Sequence, residues 1–159
     1  MNKYKTIILY ILMICWMIII FCFSHQGSVQ SSATSHQAID IILNILNITD
    51  LDFDKKQELI NTLQLPIRKL AHFTLYLVGG IIIYLLFNTS KYSNGKKIGL
   101  AFLVATGYAI FDECHQAFVP GRVAQITDVC IDSLGALTGI MITILIINLM
   151  QNIRYIKSK

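Results

Sequence analysis

Ionisable side chains arrive in three separate parts of the chain, at spacings that let them act together. Arg68, His72 and Tyr76 follow one another every four residues; Asp112 stands four before Gln116, and Asp128 four before Asp132. Each set therefore shares one face of a helix. The segment 111–122, FDECHQAFVPGR, adds Glu113, Cys114, His115 and Arg122, while Lys69 stands beside Arg68, and Ser24, His25 and Gln26 end the first apolar run. Two kinds of chemistry are open to such a set. In one, Arg68, Lys69 and Arg122 hold phosphate or carboxylate through paired donors, with Ser24, Gln26, Tyr76, Gln116, Asp128 and Asp132 completing a polar binding pocket. In the other, His72 or His115 acts as general base, oriented by Asp112, Glu113 or Asp132, and Arg122 stabilises a developing anion.

Recognised catalytic arrangements are missing. There is no GxSxG, no HExxH, no PSGH to complete a lipid-phosphatase signature and no Gly-rich phosphate loop. A metal site drawn from His72, Asp112, Glu113, Cys114 and His115 is a third and smaller alternative; Glu113, Cys114 and His115 are consecutive, so on a helix they cannot all face one ion, and neither a metal nor another cofactor is expected. The cysteines at 15, 22, 114 and 130 form no CxxC pair, which argues against a zinc finger or redox motif. A bridge between Cys114 and Cys130 stays open.

The elements that must position these residues are membrane helices. Of 159 residues, 55% are hydrophobic and 14% charged, with a mean hydropathy of +0.61, values of the membrane class. Apolar runs predict an all-α polytopic bundle of four transmembrane helices, at about 6–23, 67–87, 98–116 and 128–149, forming a single domain over 1–159. The first run could be a signal peptide behind Lys3 and Lys5, but residues 21–24, FCFS, lack the small residues of a cleavage site. With the termini cytoplasmic, the inner segments hold Lys3, Lys5, Lys91, Lys96, Lys97, Arg154, Lys157 and Lys159, eight of thirteen cations, and none of the nine acids. The net charge of +4 thus reads as topology. No basic stripe interleaved with aromatics suggests a nucleic-acid partner.

The outer segment 24–66 opens with the polar run SHQGSVQSSATSHQ and then turns amphipathic. Ala38, Ile39, Ile42, Leu43, Ile45 and Leu46, a break at Thr49-Asp50, and a second stretch at 52–63 predict two short helices, lying on the outer interface or capping the bundle. Pro66 is expected to open the second span, where a missing N–H does no harm. Val119-Pro120-Gly121-Arg122 suits a type II turn. Ala101, Ala105 and Ala109, with Gly135 and Gly139, offer close helix packing, read as intramolecular rather than dimeric.

Counting from the inner boundaries at 1.5 Å per residue sets His72 about 22 Å, Asp112 about 21 Å and Asp132 about 25 Å deep. Within a core of about 30 Å they share one level near the outer surface. A charge there costs at least about 2.5–3.5 kcal/mol. Salt bridges from Arg68, Lys69 or Arg122 to Asp112, Glu113, Asp128 or Asp132 would offset that cost. Tyr76 is expected to be a packed hydrogen-bond donor.

Together FSHQ at 23–26, RKLAHF at 68–73 with Tyr76, DECHQAFVPGR at 112–122, and Asp128 with Asp132-Ser133-Leu134-Gly135 resemble the VanZ-like family, in order and over nearly the whole chain. The resemblance implies a small bacterial integral membrane protein, its family named for a gene that accompanies glycopeptide resistance and raises tolerance to teicoplanin. It implies no settled reaction. The expected partner is therefore a membrane lipid or an amphiphilic envelope molecule, such as a lipopeptide antibiotic or a cell-wall lipid precursor, bound or modulated at an outward-facing pocket. The alternative is an intramembrane hydrolase or transferase acting on a lipid-linked substrate.

Overall fold

In a computed structural model, residues 3–46, 48 and 52–158 are described, the Ser28 side chain excepted. They form five helices: α1 Lys3–Ser24, α2 Ser28–Ile45, α3 Phe53–Phe87, α4 Asn94–Gln116 and α5 Ile126–Lys157. The expected break at Thr49-Asp50 lies outside the described residues. Three helices, α1, α3 and α5, are long and apolar enough to cross a membrane. In α4 the apolar stretch is confined to 98–111, bounded by Lys96 and Lys97 on one side and by Asp112 and Glu113 on the other.

The apolar residues point outward as much as inward. Along α1 only Leu9, Trp16, Ile20 and Ser24 are buried, while Ile7, Ile8, Ile11, Ile14 and Ile18 are exposed. Such a continuous apolar coat matches lipid as its surroundings.

Small residues set the spacing of the core. A Cβ on Gly135 would meet the Phe73 carbonyl, one on Gly139 the Leu77 carbonyl, and one on Gly80 the Ala136 carbonyl, each at 2.0–2.3 Å. The backbones of α3 and α5 thus touch along a shared, parallel seam. The glycines act within one chain, as intramolecular packing requires. Trp16 fills the space above Gly79, donates Nε1–H to the Leu75 carbonyl at 2.8 Å and meets Tyr76 edge-on, with centroids 5.5 Å apart. Tyr108 donates to the Met17 carbonyl at 2.6 Å, fastening α1 to α4.

Two expectations for the outer segment are corrected. The polar run is helical from Ser28, because Ser31, Ser35, Ile39 and Leu43 recur every four residues and are all buried. The second short helix is not separate: it is the N-terminal part of α3, which passes uninterrupted through Pro66. Proline removes a bond to the carbonyl four residues earlier, here that of Thr62. Both residues are exposed, so the freed carbonyl is not sealed in the core. Helix α2 folds back on this part of α3 around Ile39, Leu43 and Ile60. Lys56–Asp40 at 2.8 Å and His36–Gln64 at 3.1 Å fix the antiparallel register.

Candidate functional site

In each long helix the packed stripe ends in a polar residue at the same end of the bundle. On α1, Trp16 and Ile20 lead to Ser24; on α4, Ala101, Ala105 and Ala109 lead to Asp112 and Gln116. On α5 the face of Gly139, Ala136 and Gly135 ends in Asp132, and on α3 that of Ile83 and Tyr76 ends in His72. The polar cluster is the last layer of the core, placed by the close packing beneath it.

Asp112 lies at its centre, 2% exposed. Its Oδ2 accepts from Ser24 Oγ at 2.8 Å and from Gln116 Nε2 at 3.1 Å, and the Ser24 hydroxyl accepts a second Gln116 N–H at 3.0 Å. Gln116 Oε1 accepts from Arg122 Nη1 at 3.1 Å, so the amide relays between the guanidinium and the carboxylate. Across the cluster, His72 Nδ1 stands 3.6 Å from Asp132 Oδ2. His72, Asp112 and Asp132 each present one atom within 4.8 Å of the others.

The turn after α4 delivers Arg122. Gly121 has φ 76° and the Arg122 N–H bonds the Val119 carbonyl at 3.1 Å, the geometry of a type II turn. Arg122 Nε also donates to the Gln26 carbonyl at 3.3 Å, tying the turn to the end of α1. Burial pulls the guanidinium below its usual range, helped by Arg68; Asp112, Glu113 and Asp128 oppose this. Of the salt bridges expected from Arg68, Lys69 or Arg122 to the four acids, Lys69–Asp128 forms; no carboxylate contacts Arg122 directly among the described residues, because the Gln116 amide stands between it and Asp112.

The remaining candidates divide. Lys69 pairs with Asp128 at 2.8 Å, half-exposed at the rim. Glu113 turns away to accept from the Gln125 N–H at the start of α5. His115 leaves the cluster altogether: it stacks on Phe21 at 4.6 Å and lies 3.4 Å from His25. Glu113 points about 100° round α4 from Asp112; His115, three residues on, shares a side of the helix with Asp112 but is held by Phe21 and His25 at the end of α1. Tyr76 is fully buried, but its hydroxyl has no partner among the described residues, against the expectation of a packed donor. The four cysteines are free and exposed, with no bridge between Cys114 and Cys130.

Beside the cluster lies a cavity of about 520 Å³. Its polar end is formed by Arg68, Arg122, His72 and Gln26, and its flank by Ser31, Ser35, Ala38 and Ile42 of α2. From there Ile67, Leu70, Ala71, Thr74, Leu75 and Val78 line it down one side of α3. Eleven helical rises from Ile67 to Val78 make this wall about 17 Å long. Arg68 makes no hydrogen bond or ion pair among the described residues. On the α2 wall, Ala38 and Ile42 belong to the amphipathic stretch legible in the sequence, whereas Ser31 and Ser35 fall in the polar run; their four-residue spacing with Ile39 and Leu43 is the available sign.

Fold and site define a class: an all-helical protein of membrane type, with a buried polar layer at one end of its core and an amphipathic groove beside it. The chain belongs to the VanZ/LLP1 family, whose model matches residues 9–148. No curated protein and no solved structure matches it.

Proposed function

We propose that this chain is a multi-pass protein of the bacterial cell membrane that binds, at its outer face, an amphiphile with an anionic head and an apolar tail. The observation that carries this is the groove: Arg68 and Arg122 at one end, an apolar wall about 17 Å long at the other. Its volume falls in the range of ligand sites. Guanidinium donors match phosphate or carboxylate, and the tail runs along α3 toward the bilayer interior. A phospholipid, a cell-wall lipid precursor and a lipopeptide antibiotic such as teicoplanin share this chemistry. Sequestering the last of these would contribute to antibiotic tolerance.

In this reading α4 also crosses the bilayer, giving four spans with both termini cytoplasmic, and α2 with the N-terminal part of α3 forms the outer cap. The test is lipid retained by the purified chain, measured by mass spectrometry after organic extraction. Arg68→Ala combined with Arg122→Ala should cut retention of anionic lipid several-fold while leaving the helical content unchanged. Equal retention by the double variant, or none by the wild type, refutes the reading.

One observation favours a second reading, the intramembrane hydrolase or transferase. His72 lines the groove with Asp132 behind it at 3.6 Å, the arrangement of an oriented acid–base group. Covalent turnover of a lipid-linked phosphate in the same samples, lost in His72→Gln, would favour it over binding alone.

A further inference from the structure

Two buried oxygens at the polar end of the core have no partner among the described residues. Asp132 Oδ1 and the Tyr76 hydroxyl make no hydrogen bond among the described residues, although Asp132 is 2% and Tyr76 0% exposed. Tyr76 lies one turn from His72 on the same face of α3, within range of the charges of Asp112 and Asp132. Around them the ligand atoms of His72, Asp112 and Asp132 lie within 4.8 Å of one another.

Charge is the second consideration. Asp112 is held by Ser24 and Gln116, both neutral, and Asp132 faces only His72. None of the nearby cations pairs with Asp112 or Asp132 among the described residues: Lys69 bonds Asp128, Arg122 bonds Gln116 and Gln26, and Arg68, which lines the groove and a small space beside His72 and Asp132, makes no ion pair. Two carboxylates withdrawn from water need opposite charge within the layer or must give up their own.

We propose that His72, Asp112 and Asp132 bind one divalent cation, with the Tyr76 hydroxyl as the fourth protein ligand of the site. Three ligands on three helices escape the objection to a set of neighbours on α4. One imidazole with two carboxylates suits Zn²⁺ or Mn²⁺ and is too hard for a soft ion such as Cu⁺. His72 also borders the groove, so an open coordination position would meet a head-group oxygen between the ion and the two arginines. That last step rests on the groove reading, and makes phosphate the favoured head; the cation site itself does not depend on it.

The test uses the full chain in detergent, stripped with EDTA and re-equilibrated with Zn²⁺ or Mn²⁺ alone, with metal and lipid counted in the same sample. One ion per chain is expected. His72→Gln and Asp132→Asn should each weaken its binding about tenfold or more, whereas Glu58→Gln, on the exposed face of α3, should not. Wild type loaded with Co²⁺ should show a visible ligand-field spectrum without a thiolate charge-transfer band, a readout that survives misfolding of any variant. A wild type that takes up no stoichiometric ion, an ion indifferent to both substitutions, or a thiolate band overturns the proposal. Metal absent with lipid retained refutes the cation site alone; lipid absent with metal retained refutes the groove reading and leaves the cation site standing.

Discussion

Gln116 shows how a neutral side chain can hold two opposite charges at a distance. Its amide gives both hydrogens inward, to Ser24 and Asp112, and its oxygen outward to Arg122. Direct contact would neutralise Arg122 and close the groove's polar end; relayed contact leaves guanidinium donors for a ligand. Gln116→Leu keeps the volume and removes the relay. Asp112 then keeps only Ser24, and Arg122 keeps only the Gln26 carbonyl. A buried polar group left without a partner costs about 1–3 kcal/mol. Thermal unfolding in detergent should fall accordingly, and anionic lipid retention with it. Unchanged stability would mean that water replaces the amide and that the layer is wetter than its burial indicates.

At the scale of the element, close approach of α3 and α5 decides where His72 and Asp132 sit. Gly139→Ala would place a methyl 2.0 Å from the Leu77 carbonyl, and overpacking of this kind costs about 1–3 kcal/mol. Gly99→Ala and Gly107→Ala on α4 meet nothing within 4 Å, so they should be neutral or slightly stabilising, since alanine is the better helix former by about 1 kcal/mol. Equal effects at all three positions, by thermal unfolding, would refute the seam. Much of this was legible in the sequence: the glycine and alanine intervals, the common depth of His72, Asp112 and Asp132, and the Pro120-Gly121 turn all follow from local geometry. What was not legible depends on tertiary choices. Pro66 reads as a helix start but lies within α3, because exposure makes its missing bond cheap. Arg122 reads as one of three cations open to any of four acids but is joined to Asp112 through Gln116, since one-dimensional spacing says nothing about which side chain stands between two charges.

For the whole molecule, the decisive element is α4. Helices α1, α3 and α5 satisfy length and apolarity by themselves, whereas α4 carries Lys96 and Lys97 at one end and Asp112 and Glu113 at the other. Its alanine face nevertheless packs into the same core as Trp16, Ile83 and Ile140. Because Asp112 meets Ser24 at one end of the bundle, the 88–93 connection must lie at the opposite end, beside Lys5 and Arg154. If the bundle sits in a membrane, that end carries the cations and belongs in the cytoplasm. Cysteine labelling in intact cells decides it, after Cys15, Cys22, Cys114 and Cys130, all free and exposed, are replaced by serine. Val123→Cys, at a site 76% exposed, should react with an impermeant maleimide from outside; Tyr92→Cys, at a site 52% exposed, should react only once the membrane is opened. The reverse pattern would invert the protein and turn its groove to the cytoplasm. Labelling of both sites from outside would mean that α4 does not cross, and the polar layer of Ser24, His72, Asp112 and Asp132 could then no longer sit at one depth.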